Sequence, residues 1–483
     1  MKKSIKYLFI TVLLFANSCS EEKLDLYPLT SVSEGTYYAN LTQIETAADD
    51  IYRQIGELHD AWSIPSMYGM LYSDNGAVIA QLAGTPIDQP IDRHQLTSAN
   101  PRVEEAWDDA YNAIFVANNI IEQIEATEVE IEVDHRNRMI AEARLMRSLA
   151  YFNLVRAFGD VPIITEVVSP AEAYDLLREK TDKVYSLIIE DLKFAKNHLQ
   201  PNYSGADEGR LTVYSAAAVL AKVFLTRGEE AAAKTELEFI INSGEFSLDS
   251  NSDGTVNDQD YLHLFQPDTK NSESSILEAQ YMAGANRANS NHQEAFSPYL
   301  DAFNHPLIDG AINRGNGVNT PTEDLIAEFE EGDPRKEVTV VTSFLNESTG
   351  EFIDYPFTLK YFDANWFNPG QNFEIIRYAD ILLMYSEVTG DPQYLNLVRK
   401  RVGLAPYGST EYPTHLYPTI EEAIFHERRV ELAMEMHRFF DLVREGRALE
   451  VMEPKVPGDV NVLFPIPLYA IDVNPDLTQN PGY

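Results

Sequence analysis

The sequence predicts an all-α protein: a TPR-like (tetratricopeptide-like) helical-repeat core with an irregular inserted ligand-binding layer that contains short strands. Three observations lead there. Apolar residues recur at three- and four-residue spacing through much of 19–247 and again through 372–483, which gives successive helices one apolar face each. Two such helices, 212–227 and 229–243, are split only at Gly228; Ala216, Ala217, Ala218 and Ala221 give the first a small-residue face that lets a neighbour come close. Between 248 and 371 this pattern lapses. Gly, Asn, Pro and Asp become frequent there, and strand-like runs at 276–281, 338–342 and 357–361 are all that remain. Such a layer laid over a helical scaffold is where ligand-binding loops sit.

Composition narrows the functional classes. With 483 residues, 44% of them hydrophobic, the chain can build a large packed core. Its 76 acidic against 37 basic residues leave a net charge of −39, which argues against nucleic acid, against lying flat on an anionic membrane and against strongly anionic ligands. No low-complexity tract and no domain-sized linker interrupts residues 19–483, so one domain is expected.

The elements follow in order. Lys2, Lys3 and Lys6 precede an apolar run, 7–15, that is too short to span a bilayer. Small and polar residues and then Cys19 follow, so residues 1–18 read as an export signal peptide. Cys19 is the sole cysteine, and its position looks like a lipobox, with the thiol acylated to make a membrane anchor; the plainer alternative is an ordinary cleaved signal beside a chance cysteine. Helices are expected at 41–56; at 104–126, where Trp107, Tyr111, Ile114, Ile121 and Ile124 form one stripe; at 135–158, closed by Gly159; and at 180–198. After the 212–243 pair they return at 374–389, 392–402 and 420–452. His426 and His437 would share the last helix, about 16 Å apart along its axis and too far for one metal. The Glu/Arg-rich stretch 426–444 reads as i,i+4 ion pairs.

No HExxH, GxSxG or Walker loop is present, and no nucleophile–base pair stands out, so the chain reads as a non-enzyme. One local motif is sharp. Residues 249–260 (DSNSDGTVNDQD) have the spacing of a calcium loop: oxygen side chains from Asp249, Asn251, Asp253 and Asp260, the backbone carbonyl of Thr255, and a turn at Gly254. The alternative is a solvated, Asx-rich turn.

Eight blocks, in order, resemble the SusD/RagB family across nearly the whole chain. They are 141–162 (AEARLMRSLAYFNLVRAFGDVP), 209–212 (GRLT), 271–274 (NSES), 333–335 (DPR), 377–385 (RYADILLMY), 427–432 (ERRVEL), 437–444 (HRFFDLVR) and 479–483 (QNPGY). The resemblance implies a TPR-containing helical fold, attachment to the outer face of the outer membrane through acylated Cys19, and pairing with a SusC-like TonB-dependent transporter. It also implies capture of oligosaccharides, or on the same scaffold of peptides, for import. The negative charge favours a neutral glycan. Sugar rings stack on aromatic faces beside amides and carboxylates. Trp366 with Asn365 and Asn368, and Trp62 with Tyr72, Asp74 and Asn75, are therefore the expected glycan-binding walls, with buried packing the alternative for each; Trp107 is expected in the core.

Overall fold

Helix boundaries follow local chemistry. Helices α1 (Leu41–Ala48) and α2 (Asp50–Glu57) are followed by a π-helical turn, Pro65–Leu71. Helix α3 (Pro101–Ala126) starts where the Asn100 side chain accepts the Arg102 N–H and Pro101 presets φ, and it buries Trp107. Helix α4 (Val133–Phe158) stops at Gly159, whose φ of 72° an L side chain rarely adopts. Helices α5 (Thr181–His198), α6 (Val213–Thr226) and α7 (Glu230–Ile241) follow, with a capping box at Thr212 and Ser215 opening α6. Beyond the short α8 (Asp258–His263), the helices resume as α9 (Tyr378–Thr389), α10 (Pro392–Arg401), α11 (Ile420–Glu431) and α12 (Arg438–Arg444).

The computed structural model describes residues 38, 40–79, 86–173, 175–284, 289–298, 303–304, 311–312, 315–346, 349–363, 365, 369–458 and 460–483. Successive helices α3 to α7 stack each on the next, and α9 packs directly on α7, so the chain between α7 and α9 leaves the stack and returns to it. That excursion is sewn back by strands. β1 (Ser275–Ala279) pairs antiparallel with β4 (Phe373–Arg377), which is buried along its whole length and leads straight into α9. β2 (Val341–Asn346) and β3 (Glu351–Phe357) form a hairpin. Two-residue pairings join 76–77 to 320–321 and 303–304 to 311–312. Among the described residues no helix is long and apolar enough to cross a membrane.

Three local expectations need correcting. Residues 374–377 are strand, buried on both faces, with Glu374 and Arg377 held by buried polar partners beside Phe373, Ile375 and Ile376. The 338–342 segment is split between a short helix, Arg335–Thr339, and the start of β2. The segment 420–452 is three helices, α11, α12 and Ala448–Met452, because Met434 and Met436 take positive φ (64° and 66°) and turn the chain.

The charged residues of 426–444 are not i,i+4 surface pairs. They are the hub of a buried seam. Glu431, fully buried, accepts from Arg335 (3.0 Å), Arg377 (2.8 Å) and Arg401 (2.7 Å). Glu435 takes Lys360 (2.6 Å) and Arg377 (2.7 Å), and Glu427 takes Arg335 and Arg399. Burial alone would raise the Glu431 carboxyl, but Arg401, Arg377 and Arg335 outweigh it and hold it well below the usual carboxylate range.

Candidate functional site

The C-terminal turn of α2 and the loop after it face the chain that leaves β1. Between them lies a surface cleft of about 460 Å³, lined from one side by Tyr52, Arg53, Gly56, Glu57 and Asp60 and from the other by Gln280, Tyr281, Met282, Asn289 and Asn291. Specific bonds fix its walls. The Tyr281 hydroxyl donates to the Gly56 carbonyl (2.7 Å), and a Cβ on Gly56 would press on the Tyr281 ring at 3.3 Å, so the glycine permits this approach. Ala61 N–H donates to Asn291 Oδ1 (3.0 Å), and the Asn291 amide donates back to Asp60 Oδ2 (3.1 Å).

The cleft is acidic, and the cation in its described lining, Arg53, is already paired with Asp50 and Glu57. Burial pushes Asp60 up to about 6, against the Trp62 N–H and the Asn291 amide that stabilise its charge. Burial, then the charges of Asp60 and Glu57, push nearby Asp109 up to about 7. Neither carboxylate forms an ion pair among the described residues. At and below about pH 6 the Asp60 carboxyl can hold a proton and so donate as well as accept. With amides beside them and the exposed Met282 (63% exposed) on the rim, the cleft suits an uncharged ligand rich in hydroxyls. Past Gln280, which lines both, a second polar cleft of about 240 Å³ continues towards Tyr203, Asn271 and Phe246.

The structure brings together part of the expected site. Trp62 does not line the cleft, but its backbone N–H donates to Oδ1 of Asp60, which does (2.8 Å). It is half-buried against the core, and the Arg102 guanidinium covers its ring at 4.8 Å, held there by Asp88 and Glu105. The 361–370 loop reaches the same place through the segment 289–293. Ser290 N–H donates to the Pro369 carbonyl (3.0 Å), and Asp363 N–H donates to Gln293 Oε1 (2.6 Å). Asp363 in turn accepts from Asn365 N–H (2.8 Å) and Gly370 N–H (2.7 Å), which leaves the Asn365 side chain exposed. Trp366 and Asn368 lie outside the described residues, as do Cys19 and the leader 1–18.

Tyr72, Asp74 and Asn75 do not form the second wall. Tyr72 is fully buried, stacked on His94 with ring centroids 3.4 Å apart, its hydroxyl on the Asn461 carbonyl. Asp74 is bound bidentately by Arg438 (2.8 and 2.8 Å) and by Arg429 (2.9 Å), and Asn75 Oδ1 accepts from Arg429 Nε (2.9 Å). Burial alone would raise Asp74, but Arg438 and then Arg429 hold it down. These polar groups are spent on the charged seam.

In the 249–260 loop, Asp249 accepts the N–H groups of Asp253 (3.1 Å) and Gly254 (2.8 Å), and Gly254 takes φ 86°. Asn251 Oδ1 also accepts from Asp253 N–H (3.0 Å), and Asp253 Oδ1 from Thr255 N–H (2.8 Å). Asp260 is buried and completes a capping box with Asn257 at the start of α8. Asp249, Asn251, Asp253, Thr255 and Asp260 thus share one tight turn. Its carboxylates are drawn to backbone N–H groups and do not meet as a trio within 4.8 Å. Among the described residues the trio that does is Glu330, His426 and Glu427, and Arg335 and Arg399 already neutralise its carboxylates. His426 sits between Glu328 (2.6 Å) and Glu330 (3.3 Å); burial alone would lower it, but these two raise it above the ordinary histidine value.

Sequence reasoning missed Tyr52, Asp60, Tyr281, Met282, Asn289 and Asn291. The usable signal was the Asn-rich run 285–291 (NRANSN and the residue before it in the same loop), directly after a strand and in the layer expected to carry the ligand loops.

Comparison with known proteins follows from this geometry. Two family models match, one described as starch-binding associating with outer membrane, over residues 33–225, and one as the SusD family, over residues 346–461. A SusD-like protein, P25, of Formosa agariphila is 26% identical over 548 aligned positions, covering 99% of both chains. A SusD-like protein of Bacteroides ovatus is 25% identical and covers 93% of this chain and 83% of its own. The solved structure of a laminarin binding SusD-like protein is 27% identical, with a TM-score of 0.77 over 92% of this chain and 100% of that one. Surface glycan-binding protein A from Bacteroides thetaiotaomicron, in complex with laminarihexaose, shares the fold at 20% identity and a TM-score of 0.72, over 91% of this chain and 99% of its own.

Proposed function

Because the chain belongs to the SusD family, we propose that it is a non-catalytic glycan-binding lipoprotein of the outer membrane. It would be anchored through acylated Cys19 and face the cell exterior. There it hands neutral oligosaccharides to a SusC-like TonB-dependent transporter. The observation that carries the glycan reading is the likeness, over 92% of the chain, to a protein whose known ligand is laminarin. The cleft beside Trp62 supports it: its hydroxyl-matching amides and near-neutral carboxyl groups fit an uncharged polyol, and the net charge of −39 disfavours uronates and sulfated polymers. Laminarin, a neutral β-glucan, is therefore the first ligand to test. Calorimetry of the mature chain against laminarin, starch, mannan and an anionic uronan should give heat with laminarin and none with the uronan. Silence towards every neutral glycan would refute the reading.

Two parts of the proposal have tests of their own. A Cys19→Ala chain should leave the membrane fraction and take up no palmitate analogue, whereas the native chain labels. The 249–260 loop is proposed to bind one Ca²⁺ through Asp249, Asn251, Asp253, the Thr255 carbonyl and Asp260, pinning the end of α7 to the inserted layer.

A further inference from the structure

Under the π-helical turn, α4, α6 and the 434–440 corner line a second, smaller cavity of about 40 Å³, on the side of His59 away from the glycan reading's residues. Its lining is short of acceptors. Arg156 is sandwiched between the rings of Phe152 (3.7 Å) and Phe440 (3.6 Å), which cover its two faces. Its in-plane donors reach the Phe152 carbonyl (3.0 Å) and Asn153 Oδ1 (2.8 Å), and it forms no ion pair among the described residues. Burial pushes the guanidinium down to about 10, and the smaller opposing effects of Tyr185, Tyr68 and the Asp441 charge do not offset it. Asn153 is 2% exposed, lines the same cavity, and its amide Nδ2 has no partner. Lys222 lines it as well, with Nζ on Asp380 (2.7 Å) and His437 Nδ1 (3.2 Å).

The other cations here have acids of their own: Asp380 pairs with Lys222 and Arg428, and Glu387 with Arg444, which leaves Arg156 as the one without an ion pair among the described residues. A smaller void of about 20 Å³ adjoins, sharing Arg156, Lys222, His437 and Phe440. Arg156, Lys222, Arg428 and Arg444 line the two voids against two acids, Glu435 and Asp441. Both acids are already held, Glu435 by Lys360 and Arg377, Asp441 by Arg428 and Arg444. His437 and His59 complete the lining as neutral rings: burial holds His437 well below its ordinary value and lowers His59 to about 4. A buried cation without a counter-charge and a buried amide without an acceptor are each costly. One small acceptor in this space answers both.

We propose that this cavity is a binding site for a small inorganic monoanion of the chloride class, held by Arg156, the Asn153 amide and Lys222. A space of about 40 Å³ has room for a halide. Bound there, the ion ties α4, α6 and the 434–440 corner together as a structural counter-ion.

The test uses the mature chain with bromide as the probe. Crystals soaked in sodium bromide should show an anomalous peak within hydrogen-bonding distance of Arg156 and Asn153. In solution, replacing gluconate by chloride at constant ionic strength should raise Tm saturably, by about 1 °C or more. The rise should vanish in Asn153→Leu, a small change that removes the orphan amide, and weaken in Arg156→Lys. A cavity holding only water, with equal Tm in both salts, would overturn the proposal. So would a bromide peak without any chloride-dependent Tm, which would mark binding at crystal concentration only.

Discussion

The charged seam around α11 and the cleft beside α2 are both rich in carboxylates, yet they are wired in opposite ways. In the seam every acid meets arginine or lysine, and Glu431 alone meets three arginines. At the cleft Glu57 is paired with Arg53, but Asp60, which lines it, and nearby Asp109 form no ion pair among the described residues and are pushed up to about 6 and about 7. The first arrangement locks a fold together, because each charge is satisfied from inside. The second leaves hydrogen-bonding capacity for something from outside. Polar composition alone does not separate the two; the bookkeeping of partners does.

The sharpest way to break this contrast is to remove the seam's hub. Glu431→Ala would leave Arg335, Arg377 and Arg401 buried without their shared acceptor, and breaking such a set costs on the order of 3–5 kcal/mol or more. Urea denaturation should show a chain that is unfolded or far less stable; a midpoint like the parent's would mean the seam is solvated. Asp74→Asn should come next, losing roughly 2–3 kcal/mol as Arg438 and Arg429 lose their charge partner, while glycan affinity stays as in the parent.

A smaller effect distinguishes a third kind of acid. Glu374 faces Glu278 across the β1–β4 ladder; burial, then the Glu278 charge, hold it well above the ordinary glutamate value. The folded chain therefore keeps a proton that the unfolded chain gives up above about pH 4.5. Stability falls as pH rises from there, so Glu374→Gln should raise Tm at pH 7 and flatten its decline with pH. An unchanged pH profile would contradict the shared proton. His426 works in the same direction: its folded value is raised by Glu328 and Glu330, so the stability it contributes is full below about pH 6.5 and is lost as pH rises through that folded value. The smallest effect is expected from metal removal. EDTA should lower Tm by a few degrees through the 249–260 loop, and Asp253→Ala should abolish that sensitivity.

The helical scaffold was legible because its signals are local. Stripes such as Trp107 to Ile124 and the Gly159 stop lie within a few residues of what they control, although the start was read at 104 rather than at the Asn100 cap. The break between α11 and α12 was not, because left-handed methionines at 434 and 436 carry no sequence mark. Asp74 and Asn75 misled for a related reason: their partners, Arg438 and Arg429, lie more than 350 residues away, and proximity to Trp62 in sequence looked like a site. Trp62 itself meets the cleft only through its backbone N–H on Asp60, and Arg102 covers its ring. The cleft's real lining comes from an Asn-rich loop whose role depends on β1 delivering it opposite α2.

The most direct test of the account is laminarin calorimetry on two variants side by side. Met282→Ala/Asn289→Ala changes only the exposed rim of the cleft and should lower affinity at least about fivefold, roughly 1 kcal/mol, with Tm unchanged. Asp74→Asn should lower Tm and leave affinity alone. The opposite pattern, with affinity lost in Asp74→Asn and kept in the cleft variant, would contradict the division between seam and cleft.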